Sequence, residues 1–192
     1  MQIFAGATEI NSVVNIRLDS FYCRTSDTRR GGRGSVEAMN IFVLDEDPTE
    51  AAKMMCDKHV VKMILESGQM LCAAHPPEVA PWKRTHYNHP CTIWTRTSSE
   101  NYLWLAAHGL ELCAEYTRRY KKRHKSEDVL LWCAENVPSA VPHGPLTPFA
   151  VAIKDPKYHR ATAVESYRAY YLGEKSRFAR WRYSSPPEWW SV

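Results

Sequence analysis

The sequence has no hydrophobic run approaching the ~18 residues that a membrane-spanning helix needs, and it has no recognisable signal peptide. Membrane insertion and secretion are therefore not expected. Its six cysteines are spread singly, without a C-x-x-C pair or the histidine spacing of a zinc site. We expect these thiols to be free and to behave as small hydrophobic side chains, as in a reducing cytoplasm.

Strand signals are nearly absent after Leu44, whereas helical signals recur along the rest of the chain. A chain of 192 residues, 44% of them hydrophobic, can bury one core, so we predict an all-α fold with a single compact domain. Four prolines and a glycine make residues 137–148 a loop. With Thr49, Thr97 and Ser126 as N-cap residues, three predicted helices run to about His75, Arg123 and Glu135, and a fourth runs from about Ala161 to Arg182.

The first 38 residues differ from the rest of the chain. They include the polar run R-T-S-D-T-R-R-G-G-R-G-S, which cannot bury a core, and an apolar extended segment begins directly afterwards at Met39. We expect Met39 to be the natural start. Residues 1–38 would then be an upstream extension or a mobile arm, and residues 39–192 the helical domain.

Positive charge is concentrated in two segments although the net charge is only +4. Residues 117–125 contain six Lys/Arg and no acid, and residues 154–182 contain eight Lys/Arg against three acids. Interleaved with tyrosine and tryptophan, such segments suit a phosphate backbone with exposed bases. A solvated helix end followed by a basic surface helix explains them equally well.

One polar stripe of the first long helix carries His59, Lys62 and Glu66, since helical spacing puts these residues on one face. The stripe is either a solvent face or a catalytic cluster. Asp57 falls instead within the apolar arc of the same helix, with Lys53 four residues earlier as a possible partner. Because a buried carboxylate must be paired or change its pKa, Asp57 is either a structural ion pair or a proton-transfer site.

The loop after this helix carries His86, Asn88 and His89. Two histidines three residues apart, joined in space by Asp57 or His59, would be able to hold a divalent metal. A hydrogen-bonded loop that closes over a target is the interpretation we favour.

Two aromatic features stand out beyond this loop. Trp104 lies in an otherwise polar stripe, where it either covers the loop or presents a stacking surface to a base. The last helix carries five aromatic residues on one arc with a basic border. Such an arc is usually core, but it also fits a wall for an extruded nucleotide. The arc and its border comprise Tyr167, Tyr170, Tyr171, Phe178, Trp181, Arg168, Lys175 and Arg182.

Two stretches carry a resemblance to a known family. They are D-K-H-V-V-K at 57–62 and N-H-P-C-T-I-W-T-R-T-S-S-E-N-Y-L-W-L-A-A-H-G-L-E-L-C-A-E-Y at 88–116. In this order, followed by an aromatic and basic tail, they resemble the pyrimidine-dimer DNA glycosylase family typified by the phage endonuclease V fold. The similarity extends roughly from Met39 to Trp190, and the chain looks like a divergent member of phage type.

The resemblance implies a compact helical enzyme that clamps DNA, flips a base opposite a lesion and cleaves the glycosidic bond. Family members use the α-amine of the processed N-terminus as nucleophile, helped by a glutamate in the first long helix. Here Asn40 is a poor second residue for methionine removal. The local match places His59 or Val60 at the position of the glutamate, and Glu66 follows one to two turns later.

Three functions are compatible with these residues. The first is a glycosylase and AP lyase that acts on pyrimidine-dimer or abasic DNA, with the N-terminal amine, Lys62 or Lys58 as nucleophile. The second is a phage transferase that modifies DNA bases, and the third is a DNA-binding protein without catalysis. We favour the first.

We predict Asp57, His59, Lys62 and Glu66 as the catalytic residues. The expected partner is double-stranded DNA, bound by a monomer without cofactor or metal, in the cytoplasm of a bacterial host of the encoding phage. The predicted DNA-binding residues are His86, Asn88, His89, Arg96, Trp104, Arg168, Tyr170 and Lys175.

Overall fold

The computed structural model describes residues 39–191, so the predicted N-terminal extension lies outside them. Within these residues the fold consists of helices and irregular segments without a β-strand, which confirms the predicted all-α class. No helix in this range is long and apolar enough to cross a membrane. The helices are α1 (Pro48–Met54), α2 (Asp57–Ala73), α3 (Pro90–Thr95), α4 (Ser99–Tyr120), α5 (Glu127–Glu135) and α6 (Ala163–Tyr170).

The first predicted helix is in fact two helices, α1 and α2. The side chain of Asp47, rather than that of Thr49, caps α1 by accepting the backbone N–H groups of Thr49 and Glu50 at 2.8 and 3.0 Å. Met55 and Cys56 then adopt extended backbone conformations, with ψ values of 137° and 158°. The prediction of one continuous helix was wrong because helical hydrogen bonding stops at these two residues.

Helix α4 begins one residue later than predicted. Ser98 accepts the backbone N–H of Asn101 at 3.2 Å, while the hydroxyl of Thr97 donates to the carbonyl of Ile93 at 2.9 Å. The helix ends at Lys121, whose φ of 55° is left-handed and stops the helical path. Helix α3, which the sequence did not predict, precedes α4, and α5 lies where it was predicted.

The last helix is shorter than predicted. A capping box between Thr162 and Glu165 starts α6, and a wider π-helical turn, Tyr171–Lys175, follows it. The chain then turns back, and the backbone N–H of Arg182 donates to Asp57 Oδ2 at 2.8 Å. The prediction of a helix to Arg182 was wrong because this contact holds residue 182 at the junction of α1 and α2.

The extended segment 39–44 lies inside the helical core. Each of its six residues is at most 4% exposed, although no other segment of residues 39–191 pairs with it as a β-strand. Helix α4 packs against α1, α2, α3 and α5, and α2 also packs against α3 and α5. Burial of this segment fixes the position of the backbone at residue 40, on which the site depends.

A buried arginine joins the three main helices. The side chain of Arg119 on α4 is 0% exposed, and its Nε donates to Glu115 Oε2 at 2.9 Å. Its Nη2 and Nη1 donate to the carbonyls of Lys53 and Met55 at 2.9 and 2.8 Å, groups that the end of α1 would otherwise leave without donors. Arg119 therefore stabilises the break between α1 and α2.

His108 gives the fold a dependence on pH. The ring stacks on Trp104 and donates from Nδ1 to the carbonyl of Pro48 at 3.0 Å, and burial lowers its pKa to about 4. An unfolded histidine takes up its proton near pH ~6.5, so between these pH values the unfolded chain binds more protons than the folded one. Stability should fall by up to about 3 kcal/mol as the pH drops from ~6.5 to ~4.

Urea unfolding of the protein and of His108→Gln between pH 7 and pH 4 measures this contribution. We expect the variant to lose less stability over this interval than the natural chain. Equal losses would assign the pH dependence to other groups, such as His75, whose pKa burial also lowers.

Candidate active site

Glu66 on α2 forms the centre of the candidate site. Its Oε2 accepts the backbone N–H of Asn40 at 2.9 Å, and its Oε1 lies 3.1 Å from Nζ of Lys62. Glu66 is 7% exposed, whereas the side chain of Lys62 is 38% exposed. One carboxylate thus connects the backbone nitrogen of residue 40 with a lysine at the surface.

The side chain of Asn40 shapes the turn that directs its own N–H. Oδ1 accepts the backbone N–H groups of Ile41 and Phe42 at 2.8 and 3.2 Å, and Nδ2 donates to the carbonyl of Ala152 at 3.2 Å. Phe42 has a φ of 54°, a left-handed backbone conformation that is strained for a bulky side chain. Such strained residues are often found at functional sites. These hydrogen bonds hold the strained turn opposite Glu66.

His59 lies deeper in the protein than the predicted polar stripe implied. It is 1% exposed, its ring stacks on Phe42 with centroids 4.4 Å apart, and its Nδ1 is hydrogen-bonded to the hydroxyl of Tyr171. A solvent face is excluded for His59 and Glu66, since both are buried. The buried ring of His59 therefore packs against Phe42 in the turn that follows Asn40.

Helix α3 covers the other side of the same segment. The hydroxyl of Thr92 donates to Sδ of Met39 at 3.7 Å, and Cys91 beside it is fully buried, so that its pKa rises to about 12. The hydroxyl of Tyr167 donates to the carbonyl of Ala150 at 2.9 Å, and burial holds its pKa well above the usual range. Cys91 and Tyr167 therefore stay neutral near residue 40.

The sequence reasoning missed Asn40, Cys91 and Tyr167 as parts of this site. One sequence signal was available near Cys91. The N-H-P-C stretch contains a proline, which is common at the first position of a helix and marks the start of α3. Their approach to Glu66 depends on contacts between distant parts of the chain, which helical spacing does not reveal.

The resemblance implies a glutamate in the first long helix that assists the N-terminal α-amine. Residues 39–128 match the model of the pyrimidine dimer DNA glycosylase family. The match agrees with the resemblance over this segment, which contains both Asn40 and Glu66. No curated protein and no solved structure matches the chain.

Asp57 lies at the other end of α2 from this candidate site, at a rise of roughly 13 Å from Glu66. Its Oδ1 lies 3.1 Å from Nη1 of Arg119, and Oδ2 accepts the N–H of Arg182. The predicted pairing with Lys53 was wrong, since Nζ of Lys53 lies 2.7 Å from Glu50. The partners of Asp57 make it a structural ion pair that ties the C-terminal segment to α2.

The loop predicted to close over the target is at the surface. His86 and Asn88 are exposed, and His86 has a left-handed φ of 48°. His89 is half-buried and caps α3, since its Nδ1 accepts the N–H of Cys91 at 3.3 Å; burial, with the nearby charge of His86, lowers its pKa. Among residues 39–191, no group of three potential ligands is placed to hold a metal.

Trp104 and Arg168 belong to the framework of the domain. Trp104 is 7% exposed and donates from Nε1 to the carbonyl of Glu46 at 2.6 Å, so it cannot offer an open face to a base. Arg168 donates from Nε to the carbonyl of Leu44 at 2.8 Å and from Nη2 to Asp45 at 3.0 Å. Instead of projecting toward a phosphate, Arg168 anchors the end of the extended segment.

Lys175 is also buried, contrary to the expectation of a surface phosphate contact. It is 1% exposed, and its Nζ lies 4.6, 5.5 and 5.8 Å from the ring centroids of Tyr170, Phe42 and Phe178. Tyr170 in turn stacks on Phe42, with centroids 6.3 Å apart. Both predicted DNA-binding residues therefore surround the strained turn at Phe42 from within the fold.

The arginines of the basic cluster at the end of α4 are paired with carboxylates within the chain. Arg118 lies 2.5 Å from Glu115, and Arg123 lies 3.0 and 2.6 Å from Glu127 and Asp128. Exposed pairs of this kind contribute little stability, but they reduce the positive potential that a phosphate would meet. The structure thus favours the solvated helix end over a phosphate-binding role for these arginines.

Proposed function

We propose that this protein is a DNA glycosylase with AP lyase activity and that it uses the α-amine of residue 40 as its nucleophile. The observation that carries the proposal is the 2.9 Å contact between Glu66 Oε2 and the backbone nitrogen of Asn40. A carboxylate within hydrogen-bonding reach of an amine is placed to accept its proton. The local match places His59 or Val60 at the position of the family's glutamate. The contact supports Glu66 in that role instead.

The proposed reaction begins when the amine attacks C1′ of the damaged nucleotide. As the new C–N bond forms, the glycosidic bond breaks and the base leaves with the bonding electrons. Glu66 accepts the proton of the attacking amine and gives it to O4′ as the C1′–O4′ bond breaks, so that an iminium joins the enzyme to the opened sugar. Loss of a C2′ proton then breaks the C3′–O bond and releases the 3′ phosphate, and water hydrolyses the remaining imine to free the amine.

Two amines compete for the role of nucleophile, because Lys62 contacts the other oxygen of Glu66. Burial disfavours the charged form of an amine, and residue 40 is 4% exposed whereas the side chain of Lys62 is 38% exposed. This difference favours the α-amine, the nucleophile that the family resemblance implies.

The proposal requires a mature chain that begins at residue 40. The family match starts at Met39, the residue expected to be the natural start, which supports this requirement. Since Asn40 is a poor second residue for methionine removal, N-terminal analysis of protein expressed from the native gene is the direct check. A chain in which residue 39 or any earlier residue remains attached would refute the assignment of this amine.

An open cavity lies at the start of α2, at the end of the helix away from Glu66. Its volume is about 420 Å³, and its walls combine aromatic rings with cations, but its distance from residue 40 means that it is not the pocket for the nucleotide attacked there. The exposed His86 and Asn88 remain our candidates for a loop that closes over the target. The cavity is lined by Asp57, Lys58, Val61, Tyr120, Phe178, Arg180, Arg182 and Tyr183.

Borohydride trapping on abasic DNA tests the proposal. We expect a covalent adduct whose peptide mass maps to residue 40, because reduction fixes the iminium at the attacking nitrogen. Lys62→Ala should still give the adduct, since it leaves the contact between Glu66 and Asn40 in place. An adduct that maps to Lys62 would change the nucleophile, and the absence of any adduct would remove the lyase mechanism.

A further inference from the structure

We propose that Arg84, Tyr87 and Arg96, the arginine–tyrosine patch, bind the phosphate backbone of DNA beside the active site. The inference deepens the proposed function and rests on it. Tyr87 is 39% exposed, and the guanidinium groups of Arg84 and Arg96 lie 4.4 and 3.7 Å from the centroid of its ring. Two cations held over one exposed ring form an unusually dense positive surface.

The patch is not neutralised within the part of the chain that the structure describes. The ion pairs among residues 39–191 involve neither Arg84 nor Arg96, in contrast to Arg118 and Arg123 at the end of α4. Residues 81–99 contain three Lys/Arg and two histidines without a single acid. Their positive potential is therefore directed outward, toward an anionic partner.

The hydrogen bonds of Arg96 fix its position and leave donors for a ligand. Its Nη1 donates to the carbonyls of Tyr87 and Thr92 at 2.5 and 3.3 Å, while Nε and Nη2 donate to no acceptor within residues 39–191. Stacking on Tyr87 holds the guanidinium plane. An edge with two donors suits the oxygens of one phosphate.

The patch is linked to the nucleophile through a short series of contacts. The carbonyl of Thr92 accepts from Arg96, and its hydroxyl donates to Met39 in the chain that retains this residue, so α3 packs beside the segment that residue 40 begins. Thr92 and Arg96 are separated by about one turn of α3, a rise of roughly 6 Å. The patch therefore lies on the helix that covers residue 40, which is why we assign it the backbone of the DNA substrate.

The salt dependence of DNA binding tests the patch independently of catalysis. Fluorescence anisotropy measures the Kd for a duplex with a tetrahydrofuran abasic analogue, which forms no iminium. Measurements at several salt concentrations give the slope of log Kd against the logarithm of the salt concentration. Each phosphate contact contributes ~0.9 to the slope, so R84Q/R96Q should reduce it by about 1.8 and weaken binding. R118Q/R123Q removes the same two charges from intramolecular ion pairs and should leave the slope unchanged.

Two more variants keep the test decisive if R84Q/R96Q does not fold. R84K/R96K preserves the charges and should keep the slope, while Kd rises several-fold because lysine neither stacks nor presents two parallel donors. Tyr87→Leu should raise Kd in the same way. A slope for R84Q/R96Q equal to that of the natural chain would refute the proposed DNA contact, and so would an equal decrease of the slope in R118Q/R123Q. If R84Q/R96Q does not fold, unchanged Kd values for R84K/R96K and Tyr87→Leu would refute it.

The outcomes also separate the patch from the proposed mechanism. Failure of borohydride trapping together with the expected loss of slope would refute the lyase chemistry and leave the patch as a DNA contact. Successful trapping with an unchanged slope would refute the patch and leave the nucleophile.

Discussion

Replacement of Glu66 by glutamine is expected to reduce glycosylase activity and the rate of borohydride trapping by 10²- to 10⁴-fold, the range typical of a lost general base. The amide keeps the size of the side chain and one oxygen that accepts the N–H of residue 40, so the fold should be retained. It cannot accept the proton of the attacking amine. Single-turnover cleavage of dimer-containing DNA and circular dichroism measure the two effects separately.

Lys62→Gln is the matched control, since it removes the partly exposed lysine of the pair without changing the contact between the buried Glu66 and residue 40. Because glutamine is still able to donate a hydrogen bond to Oε1, this variant should fold and retain its adduct. If Glu66→Gln keeps the natural rate in single-turnover cleavage, the carboxylate is not the base. A large loss with Lys62→Gln and none with Glu66→Gln would transfer the role to the lysine.

Arg119→Leu should lower the free energy of unfolding by about 3–5 kcal/mol, the usual cost of breaking a buried ion pair. The variant leaves the carboxylate of Asp57 in the core and removes the donors for the carbonyls of Lys53 and Met55. Arg119→Lys should recover only part of the loss, because one ammonium group cannot reach all of these acceptors. Urea unfolding at pH 7 gives the values.

Arg123→Ala is the comparison for an exposed arginine. It also pairs with two carboxylates, but its side chain is 52% exposed, so we expect little change in the free energy of unfolding. The double variant Asp57→Asn/Arg119→Leu should lose less stability than the sum of the single variants, because the two side chains interact directly. Additive losses, or a loss near zero for Arg119→Leu, would contradict a structural ion pair.

Much of the local structure was predictable because it depends on neighbouring residues. The span of α5 and the all-α class follow from helical spacing, capping residues and prolines. The break between α1 and α2 was not predictable in this way. It is stabilised by Arg119, which lies 64 residues after Met55 in the sequence, so no local pattern signals it.

The amino-acid sequence by itself determined the helical class, the positions of most helices, and the family to which residues 39–128 are matched, because periodicity and motif order are properties of the chain. Only the tertiary structure decided which polar residues of α2 serve the site. Glu66 meets the nitrogen of a residue 26 positions earlier, whereas Asp57 meets an arginine 62 positions later. The physical reason is that a carboxylate acquires its role from the donors that folding brings to it, and helical spacing alone does not specify them.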